Sequence, residues 1–193
     1  MKILKSKEFY KNVAFLAFLA IILVPNPVGK EIKVLVSKLR VLVLNPSVEN
    51  AENQEQLSKF DYEWQLMDAG GNAVSLAQFQ GKVILVNHWA TWCPPCVAEM
   101  PSFQKLYNDY GDKVAFLFVT SDDRSKTEAF LKKKDLSLPV YQQVSQAPAK
   151  LFTNTLPTTF LIDQNGKILI DETGASDWNG KSMRGILDKL LAE

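Results

Sequence analysis

From Tyr62 onward, apolar and polar positions fall into short blocks with regular punctuation between them. Trp64-Gln65-Leu66-Met67 and Ala73-Val74-Ser75-Leu76 flank Asp68-Ala69-Gly70-Gly71-Asn72, a turn-rich break that predicts a β-hairpin. Phe79-Gln80-Gly81-Lys82 reads as another turn. Val83-Ile84-Leu85-Val86 follows as a continuous apolar run, the form of a strand buried on both faces. After Cys96, positions Val97, Met100, Phe103, Leu106, Tyr107 and Tyr110 recur near helical spacing. Lys113 to Val119 is a second buried strand. Ser125 to Lys134 predicts a helix with a charged face, turning Ala129, Phe130 and Leu136 inward. A short strand near Leu138-Pro139-Val140-Tyr141 and a helical turn or two over Gln146–Phe152 come next. Thr159–Asp163, Gln164-Asn165-Gly166 and Lys167–Ile170 form a strand, a turn and a strand. Lys181 to Leu191 closes the chain as a helix with Met183, Ile186, Leu187 and Leu190 on one side. This order implies an α/β fold with a mixed central β-sheet covered on both faces, opened by an N-terminal β-hairpin.

The N-terminal third follows a different pattern. Lys-rich MKILKSKEFYKN precedes an uncharged run from Val13 to Val28, the form of a membrane-targeting segment. The chain continues PNPVGKE rather than with small residues suited to cleavage, so retention as an anchor is expected. The run is shorter than the roughly 20 residues of a full span, although Phe9 and Tyr10 extend it at one interface. Residues 31–47, EIKVLVSKLRVLVLNPS, fit neither a strict two-residue nor a helical period. An interfacial helix and a buried strand both remain open for them. Residues 47–60, SVENAENQEQLSKF, read as a polar linker. The expected organisation is an N-terminal membrane anchor over 1–28, a juxtamembrane segment and linker over 29–60, and a folded domain over 61–193.

Composition adds limits. A chain of 193 residues with 47% hydrophobic and 22% charged positions is foldable and near the size of one domain. The net charge is +1 but uneven: residues 1–40 hold eight Lys/Arg against Glu8 and Glu31, a balance of +6 that leaves −5 for the rest. A mildly acidic body has no footprint for a phosphate backbone, so nucleic acid is not an expected partner. Gly70-Gly71 opens no helix and precedes no Lys-Ser/Thr, so no phosphate loop is present. No internal repeat is visible.

The chemistry gathers in one stretch, NHWATWCPPCVAEMP (87–101), which holds the only two cysteines of the chain. Two cysteines supply half of a tetrahedral zinc set, and the single His88 on the preceding strand reads as a packed, neutral residue. A structural disulfide across so short a loop removes little unfolded-state entropy. Dithiol–disulfide exchange suits the spacing and its context. If a helix starts just after Cys93, its free N–H groups and dipole favour the Cys93 thiolate, the attacking species. Cys96, almost a turn further in, becomes the resolving thiol. Pro94 and Pro95 are tolerated where first-turn amides lack partners anyway, though they also withhold those amides from the thiolate. Trp92, directly before Cys93, is better placed than Trp89 to roof the sulfur and meet a partner. No cofactor and no metal are called for.

These residues resemble a known family. Gly81–Asn87, Trp89-Ala90-Thr91-Trp92-Cys93-Pro94-Pro95-Cys96, Glu99-Met100-Pro101 and Leu156-Pro157-Thr158-Thr159-Phe160-Leu161-Ile162-Asp163 occur in the order found in thioredoxin-like proteins. The closest likeness is to their membrane-tethered, extracytoplasmic branch, the TlpA/ResA-like thiol–disulfide oxidoreductases, over about Tyr62 to Leu191. The resemblance implies a thioredoxin-like fold, with residues 120–152 carrying a central αβ insertion. It implies Cys93 and Cys96 as the redox pair and Pro157 as the cis-proline facing them. It makes Pro101 the proline that kinks the active-site helix, and Glu99 an acidic residue that tunes the thiols and takes part in substrate selection. Trp92, Pro94, Pro95 and Leu156 are the implied substrate-facing residues. Asn87 stands where cytosolic thioredoxins carry a buried aspartate, so proton handling passes to Glu99 or water.

The implied function is thiol–disulfide exchange through a mixed disulfide, reducing disulfides of extracytoplasmic proteins, as in cytochrome c maturation. Expected partners are protein or peptide thiols and disulfides, a membrane thiol-transfer protein supplying electrons, and the bilayer through the N-terminus. The implied location is the cytoplasmic membrane with the domain on the extracytoplasmic side. A disulfide-forming oxidant of the same fold, a peroxiredoxin-like thiol peroxidase and a redox-inert tethered binding module are the alternatives. The peroxidase lacks the expected proline and threonine ahead of its cysteine, and the retained pair argues against an inert module.

Overall fold

A computed structural model describes residues 9–13, 15, 46–48 and 54–192. Its frame is a seven-stranded sheet in the order β2-β1-β5-β4-β3-β6-β7. The strands are β1 (Gln65–Met67), β2 (Ala73–Ser75), β3 (Val83–His88), β4 (Val114–Thr120), β5 (Val140–Gln143), β6 (Thr158–Ile162) and β7 (Ile168–Thr173). Helix α1 (Pro94–Tyr110) links β3 to β4, α2 (Arg124–Lys134) links β4 to β5, and α3 (Lys181–Ala192) follows β7. β3 pairs parallel to β4 and antiparallel to β6, which makes the sheet mixed. The mixed sheet and its N-terminal hairpin follow the residue pattern, and the thioredoxin-like α/β architecture with its central insertion is the one the family resemblance implied.

Local chemistry accounts for the turns. Asp68 accepts from the Asn72 backbone N–H at 2.8 Å and closes the β1–β2 hairpin. At the β6–β7 hairpin Gly166 has φ +85°, and a Cβ there would meet the Tyr62 hydroxyl at 2.6 Å, so the position requires glycine.

Alternation along β3 divides the core. Val83 and Leu85 join Phe103, Leu106, Met183 and Leu187 in one apolar cluster, whereas Ile84 and Val86 join Trp64, Leu66, Leu76 and Leu151 in another. All three helices contribute to the first cluster. The second is roofed by residues near 57–64 and by the short 3-10 turns Leu76–Phe79 and Ala149–Leu151.

Two local readings change. In α2 Phe130 packs inward as expected, as does Leu136 just beyond the helix, but Ala129 is exposed and Thr127 and Leu131 take the inner face instead. The helix is rotated so that its bulkiest apolar pair meets the sheet. The segment read as linker is also part of the body from residue 54. Gln56 bridges Lys167, the Ile168 N–H donates to the Glu55 carbonyl at 2.8 Å, and Leu57 is buried.

The localisation expectation is corrected. Among the described residues no helix is long and apolar enough to cross a membrane, so a single N-terminal anchor in the cytoplasmic membrane, and with it the bilayer as partner, is not supported. Apart from residues 13 and 15, the apolar run over 13–28 lies outside the described residues, as do residues 31–45.

Candidate functional site

β3 delivers the chain to the site and α1 begins there. The Trp89 N–H donates to the Val119 carbonyl at 3.0 Å, and the Thr91 N–H donates to Asp122 Oδ2 at 2.6 Å. The loop is thereby fastened to the end of β4. Cys93 is the N-cap of α1 in extended conformation, and Pro94 and Pro95 occupy its first two positions. The first amide available in that turn belongs to Cys96, and it donates to Cys93 Sγ at 3.2 Å. That contact supplies what the prolines withhold: a hydrogen bond and the positive end of a 17-residue helix aimed at one sulfur.

Cys93 and Cys96 form a disulfide with their Cα atoms 5.3 Å apart. Cys96 is fully enclosed and Cys93 is 3% exposed. They differ in access: Cys93 lines a groove of about 620 Å³ and Cys96 does not. Trp92, Pro94, Pro95 and Leu156 line the same groove, so the structure brings together every residue expected to face substrate. Trp92 is 64% exposed, whereas Trp89 is buried against Phe130 with ring centroids 5.4 Å apart. The Leu156–Pro157 bond is cis, and the Gly174 N–H holds the Pro157 carbonyl at 2.9 Å. Asp122 and Gln143 from the insertion, and Thr153 and Asn154 from the loop leading into β6, also line the groove. Nothing in their spacing marked them.

Glu99 is not a solvated helix residue. It is wholly buried, three positions after Cys96 and so on the same face of α1. Its Oε1 accepts from Asn87 Nδ2 at 3.1 Å and its Oε2 from Trp178 Nε1 at 2.9 Å, with the Ser176 N–H at 3.4 Å. Burial pushes its pKa up to about 8 and outweighs those donors, and the nearby Glu172 carboxylate adds to the rise. A carboxyl poised there exchanges a proton near neutral pH. Asn87 also donates to Thr159 Oγ1 at 2.9 Å, which ties β3, β6 and α1 around the acid. Trp178 and Ser176, in the turn after β7, were not singled out from sequence, because partners 79 and 77 residues away leave no local pattern.

His88 is packed and neutral, as read. Its ring stacks on Trp64 at 5.7 Å and meets Phe160 edge-on at 6.0 Å. Burial holds its pKa down to about 4 despite the hydrogen bond it donates to the Leu151 backbone. Among the described residues no group of His, Cys, Asp or Glu could hold a metal ion.

Comparison with known proteins agrees with this geometry. The sequence profile of the family described as Redoxin matches residues 46–191. The chain is 36% identical over 110 residues to the thioredoxin-like protein YneN of Bacillus subtilis, covering 55% of this chain and 65% of that protein. It is 32% identical over 126 residues to the thiol-disulfide oxidoreductase ResA of Bacillus thuringiensis, covering 64% and 73%. A solved structure of a putative thiol:disulfide interchange protein DsbE from Chlorobium tepidum superposes with a TM-score of 0.58 at 25% identity, covering 66% of this chain and 92% of that one. A putative thioredoxin from Neisseria meningitidis gives 0.57 at 32% identity, covering 67% and 88%.

Proposed function

The chain belongs to the redoxin family, among its ResA-type thiol–disulfide oxidoreductases, and from that footing we propose that it reduces disulfides of extracytoplasmic proteins through Cys93 and Cys96. The substrate class is independent of any membrane-spanning anchor. One observation carries the reading: a Cys-Pro-Pro-Cys disulfide capping α1, of which only Cys93 lines a groove shared with Leu156 beside the cis Pro157.

In the reduced protein, Cys93 attacks as the thiolate, favoured by the Cys96 N–H and the helix N-terminus. A bond forms between Cys93 Sγ and one substrate sulfur, the substrate disulfide breaks, and the first substrate thiolate leaves. Cys96 passes its proton to the Glu99 carboxylate and attacks Cys93 Sγ. The second substrate thiolate departs and takes a proton from solvent. The substrate gains two electrons and the pair becomes the disulfide seen here. Trp92, Pro94, Pro95 and Leu156 form the wall against which the substrate chain lies, and Pro157 fixes the backbone of that wall. A dithiol protein, such as a membrane thiol-transfer protein, returns the pair to the reduced state. The unit that does this is the thioredoxin-like domain over 61–193, together with the docked residues just before it.

The test is mixed-disulfide trapping. Cys96→Ser protein should accumulate protein adducts through Cys93, and Cys93→Ser should accumulate none; adducts in neither variant would overturn the reading. The direction of electron flow is read from the reduction potential. A value above about −150 mV makes the protein an oxidant instead.

A further inference from the structure

Glu99 is held mainly from one place, the turn between β7 and α3. Trp178 contacts α1 at three points there. Its indole N–H donates to Glu99 Oε2 at 2.9 Å, and its backbone N–H donates to Ser102 Oγ at 3.3 Å. Its ring lies flat on Phe103, with centroids 5.1 Å apart and planes 9° apart. Ser102 Oγ in turn donates to the Glu99 carbonyl at 2.7 Å. A side chain that only filled space would need the stack, not an N–H aimed at the oxygen of a fully buried carboxyl.

We propose that Trp178 is the positioning residue of the exchange reaction, its indole N–H fixing the Glu99 carboxyl one helical turn beyond Cys96 and setting how readily it takes the Cys96 proton. The inference rests on the reading of Glu99 as the proton acceptor in the resolving step. The indole favours the charged carboxylate, and burial opposes it. The groups around Glu99 are Glu172 from β7, which acts in the same sense as burial, the Cys93/Cys96 pair a turn earlier on α1, the uncharged Asn87 of β3, itself bonded to Thr159 of β6, and the Ser176 backbone N–H. Loss of the indole N–H therefore makes the carboxyl hold its proton more tightly.

Trp178→Phe removes the N–H and keeps a ring to stack on Phe103. The probe is dithiobis(nitrobenzoate). Attack by Cys93 releases one nitrothiolate, and attack by Cys96 releases the second, so the resolving step is read by itself in stopped flow. The parent rate should rise with pH as Glu99 ionises, and Glu99→Gln should abolish that limb. Trp178→Phe should move the limb up by about one pH unit, the size expected for one charge-assisted hydrogen bond. In the Glu99→Gln background, Trp178→Phe should shift nothing further. A Glu99→Gln profile that overlays the parent overturns the reading of Glu99. If Glu99→Gln abolishes the limb and Trp178→Phe leaves it in place, only the role of Trp178 falls. Should Trp178→Phe fail to fold, the indole N–H resonance of Trp178 in the unaltered protein decides. It should titrate with the midpoint of the Glu99 carboxyl, and a flat resonance across that range overturns the proposal.

Discussion

Asn87 and His88 are adjacent in β3 and reach opposite faces of the sheet. Asn87 meets Glu99 beneath the thiols, whereas His88 is stacked on Trp64 on the other side. The same separation holds for the two tryptophans ahead of Cys93: Trp89 is core and Trp92 is the exposed rim of the groove. Trp92→Ala should therefore change folding stability by no more than about 0.5 kcal/mol, as expected for a surface position. Its rate with a protein disulfide should fall about tenfold or more, as for a truncated interface tryptophan, while a small aromatic disulfide reacts nearly as before. Equal rates with the protein disulfide before and after substitution would remove Trp92 from the docking surface.

At the scale of elements, the instructive case is the stretch before β1. Its polarity resembles a linker, yet Leu57 is 6% exposed within the second apolar cluster and its N–H is bonded to Gly166 at 2.9 Å. Leu57→Ala should cost about 2–5 kcal/mol in denaturant unfolding, the usual range for a buried leucine. A loss under about 0.5 kcal/mol would mean the segment is not docked. Helix α2 shows the limit of periodicity from the other direction. Its charged face was legible, but which residues turn inward depended on the rotation set by Trp89 and by the sheet below.

At the scale of the whole molecule, two buried titrating groups bend the pH dependence of stability in opposite senses. His88 has a folded pKa of about 4, below its ordinary 6.5, so the unfolded chain binds the proton more readily and stability is lost as pH falls from 6.5 towards 4. The size is about 3 kcal/mol. Glu99 has a folded pKa of about 8, above its ordinary 4.5, so its contribution is fully present below 4.5 and is lost as pH rises to 8. Between 4.5 and 6.5 the two largely cancel, so stability of the oxidised protein should form a plateau there and decline from 6.5 to 8. Glu99→Gln should abolish the decline above 6.5 and expose the His88 slope below it. Urea unfolding at intervals of half a pH unit reads both limbs; a parent that gains stability from 6.5 to 8 contradicts the assignment to Glu99.

By itself the sequence determined the kind and order of the elements, because strand alternation, helical spacing and turns such as Asp68–Asn72 are written in residues near one another. It also determined the reactive pair, since Cys-Pro-Pro-Cys at a helix start carries its chemistry within four positions. Tertiary structure decided what surrounds that pair. Glu99 became a buried acid because Trp178 and Ser176, far along the chain, close over it. Asp122, Thr153 and Asn154 became groove walls because the segment after β4 and the loop before β6 converge there. Such contacts arise when distant segments exclude water together, and a residue 79 positions away leaves no periodicity from which to read it.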